Sequence, residues 1–175
     1  LDLQEDWKMN REPVLTKKDC VKGACRWSLM AVTTFNYDTQ LAPAGVFGIG
    51  PLLRKIYPDD DEYVEALNNH FRYFNTHPWV ANLVLGATLA LEDKEGISAA
   101  DAVQNIKVSL MGPLAGIGDT LIWTLLPTIL GSIAGYMALE GNPVGTILWL
   151  LTNVFFIAVR TQLMWVGYRE GTKLI

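Results

Sequence analysis

Two long stretches of this 175-residue chain contain no charged side chain: residues 120–139 and 141–159, parted by Glu140 in the turn-forming Glu140-Gly141-Asn142-Pro143. Each is close to the roughly 20 residues that an α-helix needs to cross a bilayer core at about 1.5 Å per residue. Joined by so short a turn, they predict an apolar helical hairpin over 120–139 and 144–168. Pro127 predicts a kink in its first arm. Gly131-Ser-Ile-Ala-Gly135 is a G-x-x-x-G that permits close helix approach. The expected fold class is therefore all-α and integral to a membrane. The alternative is a hairpin buried inside a soluble helical bundle. Lys107 precedes the hairpin and Arg169 and Lys173 follow it, while the 140–143 turn has no Lys or Arg. The positive-inside tendency places both flanks in the cytoplasm and the turn outside.

Composition narrows the function. Half of the chain is hydrophobic, 18% is charged, and the net charge is −4. With no basic stripe interleaved with aromatics, nucleic-acid binding is not expected. Cys20 and Cys25 have the wrong spacing for a C-x-x-C pair and read as free thiols on a helix. No zinc signature, phosphate-cradling loop or nucleophile elbow is present, so neither metal nor cofactor is expected. The charged head lacks the apolar core of a signal peptide. The first residue is Leu, from which an upstream start is expected.

Residues 1–15 read as a mobile N-terminal arm and 16–175 as one membrane domain. From Thr16 an amphipathic helix is predicted. Its inner face is read as Val21, Ala24, Cys25 and Ser28 to Leu29, with Lys17, Lys18, Lys22 and Arg26 opposite, suiting a membrane surface or an ordinary surface helix. Two short apolar pieces flank Pro43 and Pro51, and Tyr57-Pro58 stops the chain. Asp59–Asp61 open a helix with acids suited to its N-terminal dipole. Its apolar face is Val64, Leu67, Phe71 and Phe74, and it ends at Asn75-Thr76-His77-Pro78. A second helix follows Trp79 and runs to about Leu91. Ser98-Ala-Ala-Asp101 reads as a capping box for a helix that Gly112-Pro113 ends. The 71–79 and 112–119 segments thus predict broken, re-entrant hairpins, and the ends of such helices are where membrane carriers bind polar solutes.

Tyr-Phe-Asn-Thr-His-Pro-Trp (73–79), Leu-Gly-Ala-Thr-Leu-Ala-Leu-Glu (85–92) and Ile-Lys-Val-Ser-Leu-Met-Gly-Pro-Leu-Ala-Gly-Ile-Gly-Asp (106–119) resemble the IID component of the mannose-family sugar phosphotransferase system. So does the Phe-Asn-Tyr-Asp…Pro-Leu-Leu-Arg-Lys-Ile-Tyr-Pro stretch (35–58). The resemblance covers roughly residues 16–171. It implies a multi-pass subunit of the bacterial cytoplasmic (inner) membrane that pairs with a IIC membrane subunit, in contact with lipid. It implies uptake of a hexose that a phosphohistidine on a separate IIB protein, fed by IIA, phosphorylates. It also implies trimers of IIC–IID pairs. Members of the family usually continue well past Gly171, so a C-terminally truncated chain or a short member is expected. The alternative role is a non-transporting scaffold or receptor subunit that braces IIC.

Asn75, Thr76, His77, Asn82, Glu92 and Asp119 are the candidate substrate-binding residues; none is proposed as catalytic. Asn75 and His77 have donors and acceptors suited to sugar hydroxyls, although Asn75 and Thr76 equally suit helix capping around Pro78. Trp79 reads as core packing, with stacking on a pyranose face as the alternative. Asn82 shares a helix face with Trp79. Glu92 is either a hydroxyl acceptor or a solvated helix end. Asp119 reads as the first residue of the hairpin helix, held by its dipole, either as a ligand or as an N-cap. Arg160 reads as snorkelling to the cytoplasmic interface, with pairing to a carboxylate of this chain or of IIC as the alternative. His70 is placed on the polar side of its helix, and no phosphohistidine is proposed on this chain.

Overall fold

A computed structural model describes residues 12–171; the readings made for residues 1–11 and for Lys173 lie outside the described residues. Among the described residues, seven α-helices follow one another: α1 (Lys17–Met30), α2 (Ala42–Ile56), α3 (Asp60–His70), α4 (Ala81–Glu95), α5 (Ala100–Gly118), α6 (Leu126–Leu139) and α7 (Val144–Glu170). The described residues form no strand, only isolated bridges from Gln40 to Asn36 and Phe74.

The helix starts follow local chemistry. Thr16 caps α1 in a reciprocal box with Asp19, which satisfies two otherwise orphaned amides. Asp19 also bonds Lys55 of α2 at 2.6 Å. The bond from Lys55, with Thr16 assisting against burial, lowers the Asp19 carboxyl to about 2. Asp59 caps α3 by accepting from the amides of Asp61 and Glu62.

Several sequence expectations need correction. The buried face of α1 is Cys20, Gly23, Ala24 and Trp27, whereas Cys25 is exposed and Leu29 is 74% exposed. The pieces around Pro43 and Pro51 form one helix, with Pro51 inside it. α3 ends at His70 instead of Asn75, because residues 39–41 capture the next turn: the Leu41 amide donates to the Phe74 carbonyl and the Phe74 amide to the Thr39 carbonyl. Phe74 is buried, while Val64 and Phe71 are exposed. No capping box forms at Ser98. Residues Gly96–Ala99 already wind as a 3-10 turn, and the Ser98 hydroxyl donates back to the Glu95 carbonyl.

The largest correction concerns Gly112-Pro113. α5 does not stop there but continues to Gly118 with Pro113 inside. It then passes through a π-helical segment, Asp119–Leu125, into α6. Asp119 has helical angles, φ −64° and ψ −42°, so it stands in mid-helix rather than at an N-terminus. Pro127 lies just past the π segment and has no amide to donate. Around it two hydroxyls bond back into the helix, Thr124 to the Asp119 carbonyl and Thr128 to the Thr124 carbonyl.

α4 lies at the centre and is buried almost continuously from Ala81 to Asp93. Around it Trp27, Ile49, Leu53, Phe74, Leu85 and Met164 form the core. α4 and α7 cross so closely that a Cβ on Gly86 would strike the Met164 carbonyl, and one on Gly167 the Leu83 carbonyl. The outer hairpin is different. In the most apolar window of α7 only 6% of residues are buried, and Ile129, Leu150, Val154 and Phe155 are exposed. A buried hairpin in a soluble bundle is excluded by that exposure: these side chains need a non-aqueous surrounding. The hairpin arms touch where Gly145 meets Ala134, whose Cα would lie 2.7 Å from an added Cβ. Gly131 and Gly135 meet nothing within 4 Å.

Candidate functional site

The segment between α3 and α4 is pinned from one side by Trp27, whose indole donates to the Pro78 carbonyl at 2.9 Å. That bond turns residues 76–82 into the interior. Thr76, His77 and Asn82 are buried, Asn82 completely. The His77 Nδ1 accepts from the Trp79 amide at 3.3 Å, and Nε2, the other ring nitrogen, is buried. The ring stands edge-on to Trp123 with centroids 4.7 Å apart. It packs where a side chain on Gly118 would be. The absence of a Cβ at Gly118 therefore admits His77, not a ligand. The Asp119 carboxylate is exposed and within electrostatic reach of His77.

Asn82 joins this segment to α7 by donating to the Arg160 carbonyl at 3.0 Å. The Arg160 guanidinium lies over the Trp79 ring, 5.4 Å from its centroid. Among the described residues, the buried side-chain polar atoms without a partner include Thr76 Oγ1, His77 Nε2, Asn82 Oδ1 and Arg160 Nε. Interiors seldom leave such groups unpaired, since each costs about 1–3 kcal/mol. Thr76 and His77 lie in the connecting segment, and Asn82 and Arg160 meet where α4 joins α7; the four atoms mark hydrogen-bonding capacity that the described residues do not use.

Beside this cluster a pocket of ≈ 220 Å³ is lined by the indoles of Trp79, Trp123 and Trp149, by Phe156 and Pro127, and by Thr152 and Asn153. Trp79 also packs on Phe156 at 5.5 Å. Trp79 is thus half-buried packing on one side and pocket wall on the other. The Thr152 and Asn153 side chains each bond a carbonyl one turn back in α7.

Glu92 belongs elsewhere. It is 1% exposed, which corrects the solvated helix end. It lies 2.8 Å from His70 Nε2 and accepts from the Tyr57 hydroxyl at 3.4 Å. His70 is likewise buried, not on a polar face. Lys107 completes this second cluster by donating to the His70 carbonyl at 3.1 Å and standing over the Phe74 ring. Lys107 is 1% exposed, so it is an interior residue and no longer serves as a marker of membrane sidedness. No hydrogen bond or ring contact links Glu92 to Thr76, His77 or Asn82. Asn75 is exposed, and its backbone amide donates to the Met111 sulfur.

Of the six candidates, Thr76, His77, Asn82 and Asp119 come together, Asn75 stands at the rim, and Glu92 lies apart. Sequence reasoning missed Trp149 and Asn153. A lone Asn within an uncharged span was a readable signal. The pairing of Glu92 with His70 was not, because nothing local announces it.

An exposed apolar hairpin rooted in a packed, partly unsatisfied polar cluster defines a helical membrane component. The chain belongs to the PTS system mannose/fructose/sorbose family IID component (EIID-AGA), whose profile matches residues 14–175. It is 32% identical over 169 residues to the mannose-specific EIID component of Escherichia coli K12, covering 94% of this chain and 59% of that one. It is 30% identical to the fructose permease IID component of Bacillus subtilis, covering 95% of this chain and 62% of that one. It is 33% identical to the sorbose-specific EIID component of Klebsiella pneumoniae, covering 92% and 60%. The chain therefore spans about three fifths of the length of these relatives. A cryo-EM structure of the mannose transporter ManYZ with microcin E492 holds a similar chain, with a TM-score of 0.79 and 33% identity over 91% of this chain and 60% of that one.

Proposed function

We propose that this chain is the IID subunit of a hexose permease of the bacterial cytoplasmic membrane. It binds the sugar with a IIC partner and holds it for phosphorylation by a IIB phosphohistidine that IIA recharges. The observation that supports this most is the cluster of buried, unpartnered polar atoms at Thr76, His77 and Asn82 beside an indole-lined pocket. A hexose offers hydroxyls that donate and accept, which match a hydroxyl, an imidazole nitrogen and an amide oxygen. Its C–H face suits an indole wall. Asp119 reaches the same area from the π segment and would accept from a hydroxyl. Asn75 lies at the rim of this site. Glu92, whose oxygens already bond His70 and Tyr57, would brace the site rather than touch the sugar. Phosphoryl transfer needs chiefly positioning of the accepting hydroxyl, which fits a chain that supplies hydrogen bonds and no phosphorylated residue. Trimers of IIC–IID pairs are the assembly this reading carries.

The test is uptake and phosphorylation of labelled hexoses in cells that express the subunit with its IIC and IIAB partners. His77→Ala and Asn82→Ala should each lower uptake by about tenfold or more, the loss of one to two charge-free hydrogen bonds, with the complex still assembled. Asp119→Asn should lower it as well. Normal uptake in all three removes the site. Uptake that does not depend on the chain at all makes it a scaffold that braces IIC.

A further inference from the structure

The sequence pattern would carry α3 past His70, since Phe71 and Phe74 continue the apolar face that Val64 and Leu67 begin. In a helix that ran on, the Tyr73 and Phe74 amides would donate to the carbonyls four residues back, those of Asn69 and His70. Side chains of α5 hold both carbonyls instead. The Gln104 amide group donates to the Asn69 carbonyl at 2.6 Å, and the Lys107 ammonium donates to the His70 carbonyl at 3.1 Å. The Arg72 amide closes a last tight turn on Asn69 at 3.4 Å. Beyond it the backbone donors turn elsewhere. The Phe74 amide goes to the Thr39 carbonyl at 3.3 Å, and the Tyr73 amide meets no acceptor among the described residues.

These contacts form a line. Ala100, Gln104, Lys107 and Met111 are spaced by four, three and four residues, which sets them on one face of α5. They take up the 69–75 chain in order: the Asn69 side chain donates to the Ala100 carbonyl at 2.9 Å, and the Asn75 backbone amide to the Met111 sulfur at 3.1 Å. Two turns further along α5, Gly118 receives the His77 ring. Lys107 is the central link. It is buried, and its ammonium meets the negative end of the α3 dipole. It also stands 5.1 Å from the centre of the Phe74 ring, so it holds the last residue of α3 and the turn that follows. A buried ammonium is costly, and an apolar side chain would fill the same space at less cost. What the ammonium adds is a fixed end for α3.

We propose that Lys107, with Gln104, is a positioning residue of the sugar site. By holding the two carbonyls that a further turn of α3 would use, these side chains stop that helix at His70 and deliver Thr76 and His77 to Gly118 and Trp123. Without them α3 winds on through Phe74. Residues 71–74 then rise about 1.5 Å each, where a non-helical chain can span up to about 3.3 Å, and His77 is drawn back from Gly118.

The effect on uptake rests on the sugar-site reading; the effect on hydrogen exchange does not. In the purified permease complex the Tyr73 amide should exchange freely in the parent and about tenfold more slowly in Lys107→Met, where a helical bond protects it. In cells with the IIC and IIAB partners, Lys107→Met should raise the KM for labelled hexose about tenfold, the loss of one to two hydrogen bonds to the sugar, with the maximum rate largely kept. Tyr73→Pro removes the amide that the longer helix needs and disfavours a helical Arg72. Added to Lys107→Met, it should return the KM to the parental value. Gln104→Leu, which removes no charge, carries the same test if Lys107→Met does not accumulate. Exchange at Tyr73 that stays fast in both variants overturns the proposal. So does a raised KM that Tyr73→Pro fails to lower, which would make Lys107 a stabilising residue alone. Slowed exchange with an unchanged KM also overturns it where His77→Ala does raise the KM. Where His77→Ala has no effect either, the sugar site fails, and the slowed exchange still upholds the stop at His70.

Discussion

Glu92 is a carboxylate with almost no exposed surface whose oxygens meet His70 and Tyr57. Removing one member of such a group leaves the others buried and unanswered, which costs more than the group contributes when intact. Glu92→Ala should therefore destabilise the subunit by about 3 kcal/mol, while Glu92→Gln, which keeps an acceptor for His70, should cost about 1 kcal/mol. The midpoint of SDS-induced unfolding in detergent would report both. Equal midpoints for the two variants would show that the carboxylate is not paired. In the sequence, His70 and Glu92 are 22 positions apart and Tyr57 and Glu92 35 apart, so no spacing rule joins them. The His77 neighbourhood was partly readable, because a polar triplet before Pro78 signals an interrupted helix. Trp123, on which His77 rests, is 46 residues on, and only the fold brings it there.

At the scale of elements, the starts of α1 and α3 were legible because caps are local chemistry. The two ends that differed from expectation were decided from a distance: the 39–41 backbone shortened α3, and continued helical winding overrode Gly112-Pro113. A proline removes one hydrogen bond and does not by itself dictate a stop where the flanking residues remain helical. The contact of α4 with α7 is the most demanding in the fold, since Gly86 and Gly167 each face the other helix's backbone. Gly167→Leu should force the helices apart and cost at least about 3 kcal/mol, seen as loss of folded subunit from detergent extracts. Gly131→Ala and Gly135→Ala, where an added methyl meets nothing within 4 Å, should leave the subunit's own stability unchanged. A tolerated Gly167→Leu would mean that the crossing is looser than drawn.

At the scale of the molecule, the chain is a packed module with a bare apolar fork projecting from it. Hydropathy alone announced the fork, for two uncharged runs around a short turn have few other uses. The packed module was illegible as a unit, because α4 is apolar all round and has no face for a pattern to reveal. Alkaline carbonate should leave the subunit in the membrane pellet. Release of the intact subunit would contradict an embedded hairpin.

The wide turn at Asp119–Leu125 has one more consequence. A π turn holds an extra residue, and one residue is about 100° of rotation on an α-helix. The segment is therefore an angular offset between the module and its fork. With it, Trp123 points at His77 while α6 keeps Ala134 against Gly145 of α7. Without it, the same side chains would follow in the same order along the axis but aim about a quarter-turn away, and the indole wall beside the polar cluster would face outward instead.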